Sequence, residues 1–114
     1  MTLREVVGIV GGTVLCGGEN LDREVEKGFS SDLMSDVLTL LADNILLITG
    51  LSNNQAIRTA EMSDICQILF VRNKKPTQTM IDLAIEQGIT IIVTPYSMFK
   101  SSGLLFQKGL DPVY

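Results

Sequence analysis

The 114-residue chain has no histidine and no tryptophan, and only two cysteines, three prolines, two tyrosines and four phenylalanines. Without histidine, the commonest general base and the commonest zinc ligand are both missing. Cys16 and Cys66 lie far apart, each in an apolar run, which reads as two buried reduced thiols rather than a disulfide framework. Charged residues make up 19% of the chain, and the nine basic ones are spread along a sequence of net charge −4. That distribution argues against a nucleic-acid footprint. No apolar run approaches the roughly 20 residues of a membrane span. Met1-Thr2-Leu3-Arg4-Glu5 also lacks the charged-then-apolar order of a signal peptide. The expectation is a cytoplasmic chain with no membrane or nucleic-acid partner, no metal and no cofactor.

What is present is apolar. At 46% hydrophobic residues, the chain reads as a single domain over 1–114 with a real core. Its organising stretch is Ile45 to Asn54. The run Ile45-Leu46-Leu47-Ile48 does not alternate, so it predicts a strand buried on both faces. Gly50 ends it, and Ser52 with Gln55 three residues on predicts a capping box at a helix start. Strand, glycine and capped helix form the βα unit of open α/β sheets, whose ligands gather beyond the carboxyl ends of the strands. Two more units follow. Ile68 to Val71 leads through Arg72-Asn73-Lys74-Lys75-Pro76 to a helix with Met80, Ile81, Ala84 and Ile85 inward, stopped by Gly88. Thr90 to Val93 leads to Thr94-Pro95, an N-cap and first-turn proline, and a helix with Met98, Phe99, Leu105 and Phe106 on its apolar face. The fold class is therefore α/β: a compact domain with a mainly parallel sheet from three consecutive βα units, helices packed on it.

Ahead of these units, Thr2 and Glu5 predict a capping box for a helix bearing Leu3, Val6, Val7 and Val10 on one face, closed by Gly11-Gly12. Thr13 to Cys16 is a short strand, and Arg23 to Ser30 a weak edge strand. Ser31-Asp32 starts a helix with Leu33, Met34, Val37, Leu38 and Leu41 inward. Leu110 to Tyr114 reads as a frayed tail.

Three patterns carry chemistry. Gly12 to Gly17 has the glycine spacing of a P-loop, but Gly18-Glu19 stands where the lysine and hydroxyl residue belong, leaving two turns around a short strand. Ser31, Asp32, Ser35 and Asp36 place hydroxyls and carboxylates at i, i+4 spacing, which suits capping better than a full metal shell. The three helix N-termini offer free N–H groups and positive dipole ends at one sheet edge, with Arg72, Lys74 and Lys75 beside them. Chemistry alone leaves that edge either as an anion site or as ordinary capped helix starts beside a solvated loop. As a site it would comprise Gly50, Ser52, Asn53, Asn54, Arg72, Asn73, Thr94 and Tyr96, with Arg72 as a planar cationic fork and Tyr96 stacking on a ring.

The runs Phe29-Ser30-Ser31-Asp32-Leu33-Met34-Ser35-Asp36-Val37-Leu38, Leu47-Ile48-Thr49-Gly50 and Val93-Thr94-Pro95-Tyr96 resemble the DRTGG domain family over nearly the whole chain. Such domains occur inside CBS-containing inorganic pyrophosphatases, beside the catalytic part of some phosphotransacetylases, and as free-standing proteins. The free-standing form with this Ser-Asp-Leu-Met-Ser-Asp run is similar to one encoded beside iron-only hydrogenase and electron-transfer subunits, which implies a protein partner of that kind. The fold implied is that of the N-terminal domain of HPr kinase/phosphorylase. The namesake residues are absent: Leu51-Ser52-Asn53-Asn54 stands for Asp-Arg, Val71-Arg72-Asn73 for Thr-Gly-Gly, and Ser97-Met98 for Asp-Thr. The resemblance implies a non-catalytic regulatory or ligand-sensing domain that binds a small anionic ligand or nucleotide. It also implies a homodimer, with Val25, Phe29, Leu33 and Met34 as the expected apolar centre. The alternatives are a structural or protein-interaction adaptor and an enzyme acting on a phosphorylated small molecule.

Overall fold

The computed structural model describes residues 1–114. Its order is α1 (Leu3–Ile9), β1 (Thr13–Cys16), a 3-10 turn (Gly18–Asn20), β2 (Lys27–Ser30), α2 (Met34–Val37), β3 (Ile45–Thr49), α3 (Asn54–Met62), β4 (Gln67–Phe70), α4 (Gln78–Gln87), β5 (Thr90–Val93), α5 (Met98–Gln107) and β6 (Asp111–Pro112). One six-stranded sheet runs β1-β5-β4-β3-β2-β6. All neighbours are parallel except β1, which pairs antiparallel with β5 at one edge.

The three consecutive βα units are present as the apolar runs predict. β3 and β4 are buried at every residue, as strands with helices on both faces must be. Alternation of side chains then divides the core. Ile45, Leu47, Ile68, Phe70 and Ile91 pack under α2, α3 and α4. Leu46, Ile48, Leu69, Val71 and Ile92 pack under α1 and α5. Thr2 caps α1 by accepting from the Glu5 N–H at 3.2 Å. Gly88 ends α4 in the left-handed region at φ 69°, where glycine has no Cβ penalty.

Several expectations are corrected. The Arg23–Ser30 strand is confined to Lys27–Ser30, and it is not the edge, because Asp111–Pro112 pairs outside it. The tail from Leu110 is thus bound rather than frayed: Leu110 is buried, and the Val113 N–H reaches the Gly28 carbonyl. The helix expected from Asp32 to Leu41 is one turn, Met34–Val37. Only Met34 and Val37 face the core; Leu33 is 58% exposed and Leu41 101%. A single turn presents two inward positions, so the other leucines are left outside. Ile85 is likewise exposed, as is Cys66, while Cys16 is half-buried; both thiols are free. Burial pushes the Cys16 thiol up from its usual range, and the charge of Glu19 pushes the same way.

Two helix starts also move. Asn53, not Ser52, is the N-cap of α3, accepting from the Ala56 N–H at 3.1 Å. Ser97, not Thr94, is the N-cap of α5, accepting from the Lys100 N–H at 3.1 Å. No helix is long and apolar enough to cross a membrane.

Candidate functional site at the carboxyl edge of the sheet

β2, β3, β4 and β5 end side by side at Ser30, Thr49, Phe70 and Val93. The loops after them and the N-termini of α3, α4 and α5 form one surface. Asp32 organises its centre. Its Oδ1 accepts from the Thr49 hydroxyl at 3.0 Å and from the Gly50 N–H at 2.7 Å. The carboxylate thus satisfies a backbone donor that the end of β3 leaves free. The Ser31/Asp32 and Ser35/Asp36 hydroxyl-carboxylate pattern is therefore not a helix-face cluster, since the helix is too short; Asp32 caps a strand end instead.

Arg72 lies directly over Gly50. A Cβ built on Gly50 would meet Arg72 Nη2 at 2.8 Å and Nε at 3.3 Å. The guanidinium therefore packs on a backbone surface that any other residue would cover. Arg72 and Asn73 both occupy the left-handed region, at φ 61° and 58°. For arginine this conformation costs of order 1 kcal/mol or more. It is held because the Arg72 N–H donates to the Tyr96 carbonyl at 2.8 Å and the Asn73 N–H to the Thr94 carbonyl at 3.0 Å. The ion pairs of the molecule are Met1 ammonium with Glu24 and Arg4 with Asp22, both elsewhere. Arg72, Lys74, Lys75 and Lys100 thus stand at this edge without a carboxylate partner.

The eight expected site residues divide. Gly50, Arg72 and Asn73 come together, and Asn53 and Asn54 stand exposed at the start of α3. Ser52 turns toward α4, its hydroxyl 3.9 Å from Met80 Sδ. Thr94 is buried; its hydroxyl donates to the Val10 carbonyl at 2.6 Å and accepts from the Tyr96 N–H at 3.1 Å. Its single donor is spent, so it has none to offer an anion. The Tyr96 hydroxyl points at Gly11, and the Lys100 ammonium sits 3.8 Å from its ring centroid. That cation–π contact occupies the face expected to stack on a ring. Lys100 itself escaped the sequence reading, although it follows Tyr96 by four residues. No group of three or more histidine, cysteine or acidic side chains is gathered for a metal.

A groove of about 440 Å³ lies beside this edge, between α5 and the β2–β6 border. Phe99, Ser102, Gly103 and Phe106 line one wall, at i, i+3, i+4 and i+7 on α5; Phe29, Ser30 and Tyr114 lie opposite. Ser30 and Ser102 join their hydroxyls across it at 2.6 Å. Phe29 and Tyr114 meet edge to face, ring centroids 6.3 Å apart.

The DRTGG domain model matches residues 5–107. This chain belongs to the DRTGG domain family. A solved structure similar to this DRTGG domain is that of the CBS and DRTGG domains of the regulatory region of Clostridium perfringens pyrophosphatase, complexed with the activator diadenosine tetraphosphate. It aligns with a TM-score of 0.77 and 18% identity, covering 98% of this chain and 48% of that one. The DRTGG domain described here thus spans about half the length of that chain, and at that identity the likeness establishes the fold. No curated protein matches the sequence.

Proposed function

We propose that this DRTGG domain is a non-catalytic regulatory module that binds a small anionic ligand of the nucleotide type at the carboxyl edge of its sheet. The observation that carries this reading is the gathering of Arg72, Lys74, Lys75 and Lys100, none ion-paired, on one edge of a chain whose net charge is −4. Arg72 packs on Gly50 with its fork free of protein acceptors, so a phosphate is a suitable partner. The pyrophosphatase regulatory region is complexed with a dinucleotide activator, which makes nucleotides the first class to try. The test is calorimetric titration with nucleoside mono-, di- and triphosphates. Arg72→Ala should weaken binding by about 1.5–3 kcal/mol, the range for hydrogen bonds to charged groups. If nothing binds tighter than millimolar, or the variant binds as wild type does, this site assignment is wrong and the adaptor reading takes its place.

A second reading, a protein-interaction adaptor, is favoured by the exposed apolar side chains Leu33, Leu38 and Leu41 around α2. They suit either a second copy or a partner of the hydrogenase or electron-transfer kind. Of the four residues expected at a dimer centre, Val25 and Met34 complete the chain's own core. Phe29 is half-buried against Tyr114. Leu33 alone of the four stands exposed.

A further inference from the structure

We infer that α5 is a self-pairing helix: two copies of the chain associate by packing their α5 helices antiparallel, each setting its Phe99 against Phe106 of the partner subunit. The surface lies on the face of the sheet that carries α1 and α5, away from the leucines of α2, and it does not depend on the function proposed above. Phe99 and Phe106 are 90% and 66% exposed on one side of α5, two helical turns apart. Tyr114 stands across the groove, 84% exposed. The fully buried stripe of α5 is Ser101 and Leu105, so these rings add nothing to the monomer core. Gly103 lies between the two phenylalanines. It is exposed, its φ is not positive, and nothing stands within 4 Å of where its Cβ would be. Neither backbone geometry nor packing within the monomer calls for a glycine there, and glycine weakens a helix interior. Close approach of a second backbone does call for one.

Spacing makes the occupant a second copy. Along α5, Phe99, Ser102, Gly103 and Phe106 read alike in both directions: a ring, two residues, two small residues side by side, two residues, a ring. A two-fold axis passing between Ser102 and Gly103 therefore brings each Phe99 onto Phe106 of the partner subunit, the isologous contact of a C2 dimer. The small residues at the crossing let the helix axes close to about 8 Å, the near end of helix packing. The Ser102 hydroxyl is already bonded to Ser30 at 2.6 Å, so it brings no unmet donor to the crossing. This stripe carries no charge and meets its own copy without repulsion, although the chain's net charge is −4. Antiparallel helices also set opposite dipole ends side by side. The area suffices: at about 200 Å² for a buried aromatic side chain, the three exposed rings amount to roughly 500 Å² per copy. Over two copies that reaches the roughly 1,000 Å² a stable interface should clear, before the groove walls are added.

The experiment follows the mass of the whole chain by light scattering from micromolar to millimolar concentration. Wild type should pass to twice the monomer mass. Phe99→Glu and Phe106→Lys should each raise the dimer dissociation constant by about tenfold or more, as the loss of a central interface aromatic does. Both variants should fold, because neither ring belongs to the core. Mixing the two should restore a dimer. In the antiparallel pair the introduced carboxylate of one chain faces the introduced ammonium of the other, while the remaining Phe99 and Phe106 still meet. A pairing in which like positions face each other gives no such rescue. Gly103→Leu should hold or raise the Tm of dilute protein, leucine being the better helix former, yet abolish the dimer. The inference is overturned if wild type stays a monomer throughout, if either charged variant or Gly103→Leu dimerises as wild type does, or if the mixture of variants stays monomeric. A dimer that survives Phe99→Glu but is lost with Leu41→Glu moves the interface to the α2 leucines and overturns it as well.

Discussion

At the scale of single residues, the most consequential side chain is an exposed one. Asp32 holds the Thr49 hydroxyl and the Gly50 N–H, and Gly50 in turn supports the Arg72 fork. Asp32→Ala would leave the fully buried Thr49 without its acceptor. Its expected cost is about 1–3 kcal/mol in denaturant unfolding, well above the half kcal/mol or so of an ordinary surface change. Ser101 behaves oppositely. It is fully buried in α5, and its hydroxyl has no hydrogen-bond partner. Ser101→Ala removes an unsatisfied group and should hold or raise stability, by up to about 1 kcal/mol on the same measurement. The two thiols separate by burial: Cys66 should react first with a thiol reagent at neutral pH. Labelling of Cys16 should lag and then rise with pH above the usual thiol range, because burial holds its pKa up.

At the scale of elements, β3 is the member whose loss the fold tolerates least. Leu47 is fully buried against α2, α3 and α4. Leu47→Ala should cost about 2–5 kcal/mol through the cavity it leaves, read as a lower denaturant midpoint at unchanged slope. This strand was also the most legible stretch in the sequence. A short continuous apolar run ending at glycine has few other uses in a chain with no helix long and apolar enough to cross a membrane. The helix ends were less legible, because capping types come in clusters. Ser52 and Asn53 are both good N-caps, and Thr94 and Ser97 both precede an apolar stretch. Which one caps depends on where the preceding loop is tied down, and Thr94 is tied to Val10, 84 residues away. α5 was read with both phenylalanines inward. Only a narrow stripe of it, Ser101 and Leu105, is fully buried, and periodicity cannot tell a core face from a groove wall. β6 left no local signal at all: two residues, one a proline, acquire strand geometry only by pairing with β2 some eighty positions earlier.

At the scale of the whole molecule, charge is unevenly divided between the two edges of the sheet, with Asp32 a carboxylate on the more basic one. Asp43, Asp64 and Glu86 precede β3, β4 and β5, at the amino edge of the sheet. Arg72, Lys74, Lys75 and Lys100 stand at the carboxyl edge, where the N-termini of α3, α4 and α5 add positive dipole ends. Unpaired cations and helix N-termini together favour an approaching anion at this edge although the net charge is −4. Gly50→Ala tests whether this edge acts through the placement of Arg72 or merely through its charge. The new methyl group would lie 2.8 Å from Arg72 Nη2, so the guanidinium must move. The far end of a flexible side chain can do so at little expense, and Gly50 is not among the residues of positive φ. Stability should therefore stay within about 1 kcal/mol of wild type, while all four cations remain. If Arg72 binds phosphate as a positioned fork, nucleotide affinity should fall about as far as in Arg72→Ala. If the edge acts only as a diffuse positive field, Gly50→Ala should bind as wild type does, and the binding of both should weaken alike as salt screens the surface. Thermal shift reports the same comparison independently. Nucleotide at about 100 times its dissociation constant stabilises the native state by roughly 2.7 kcal/mol. At the concentration that achieves this for wild type, the Gly50→Ala protein should show little of that shift.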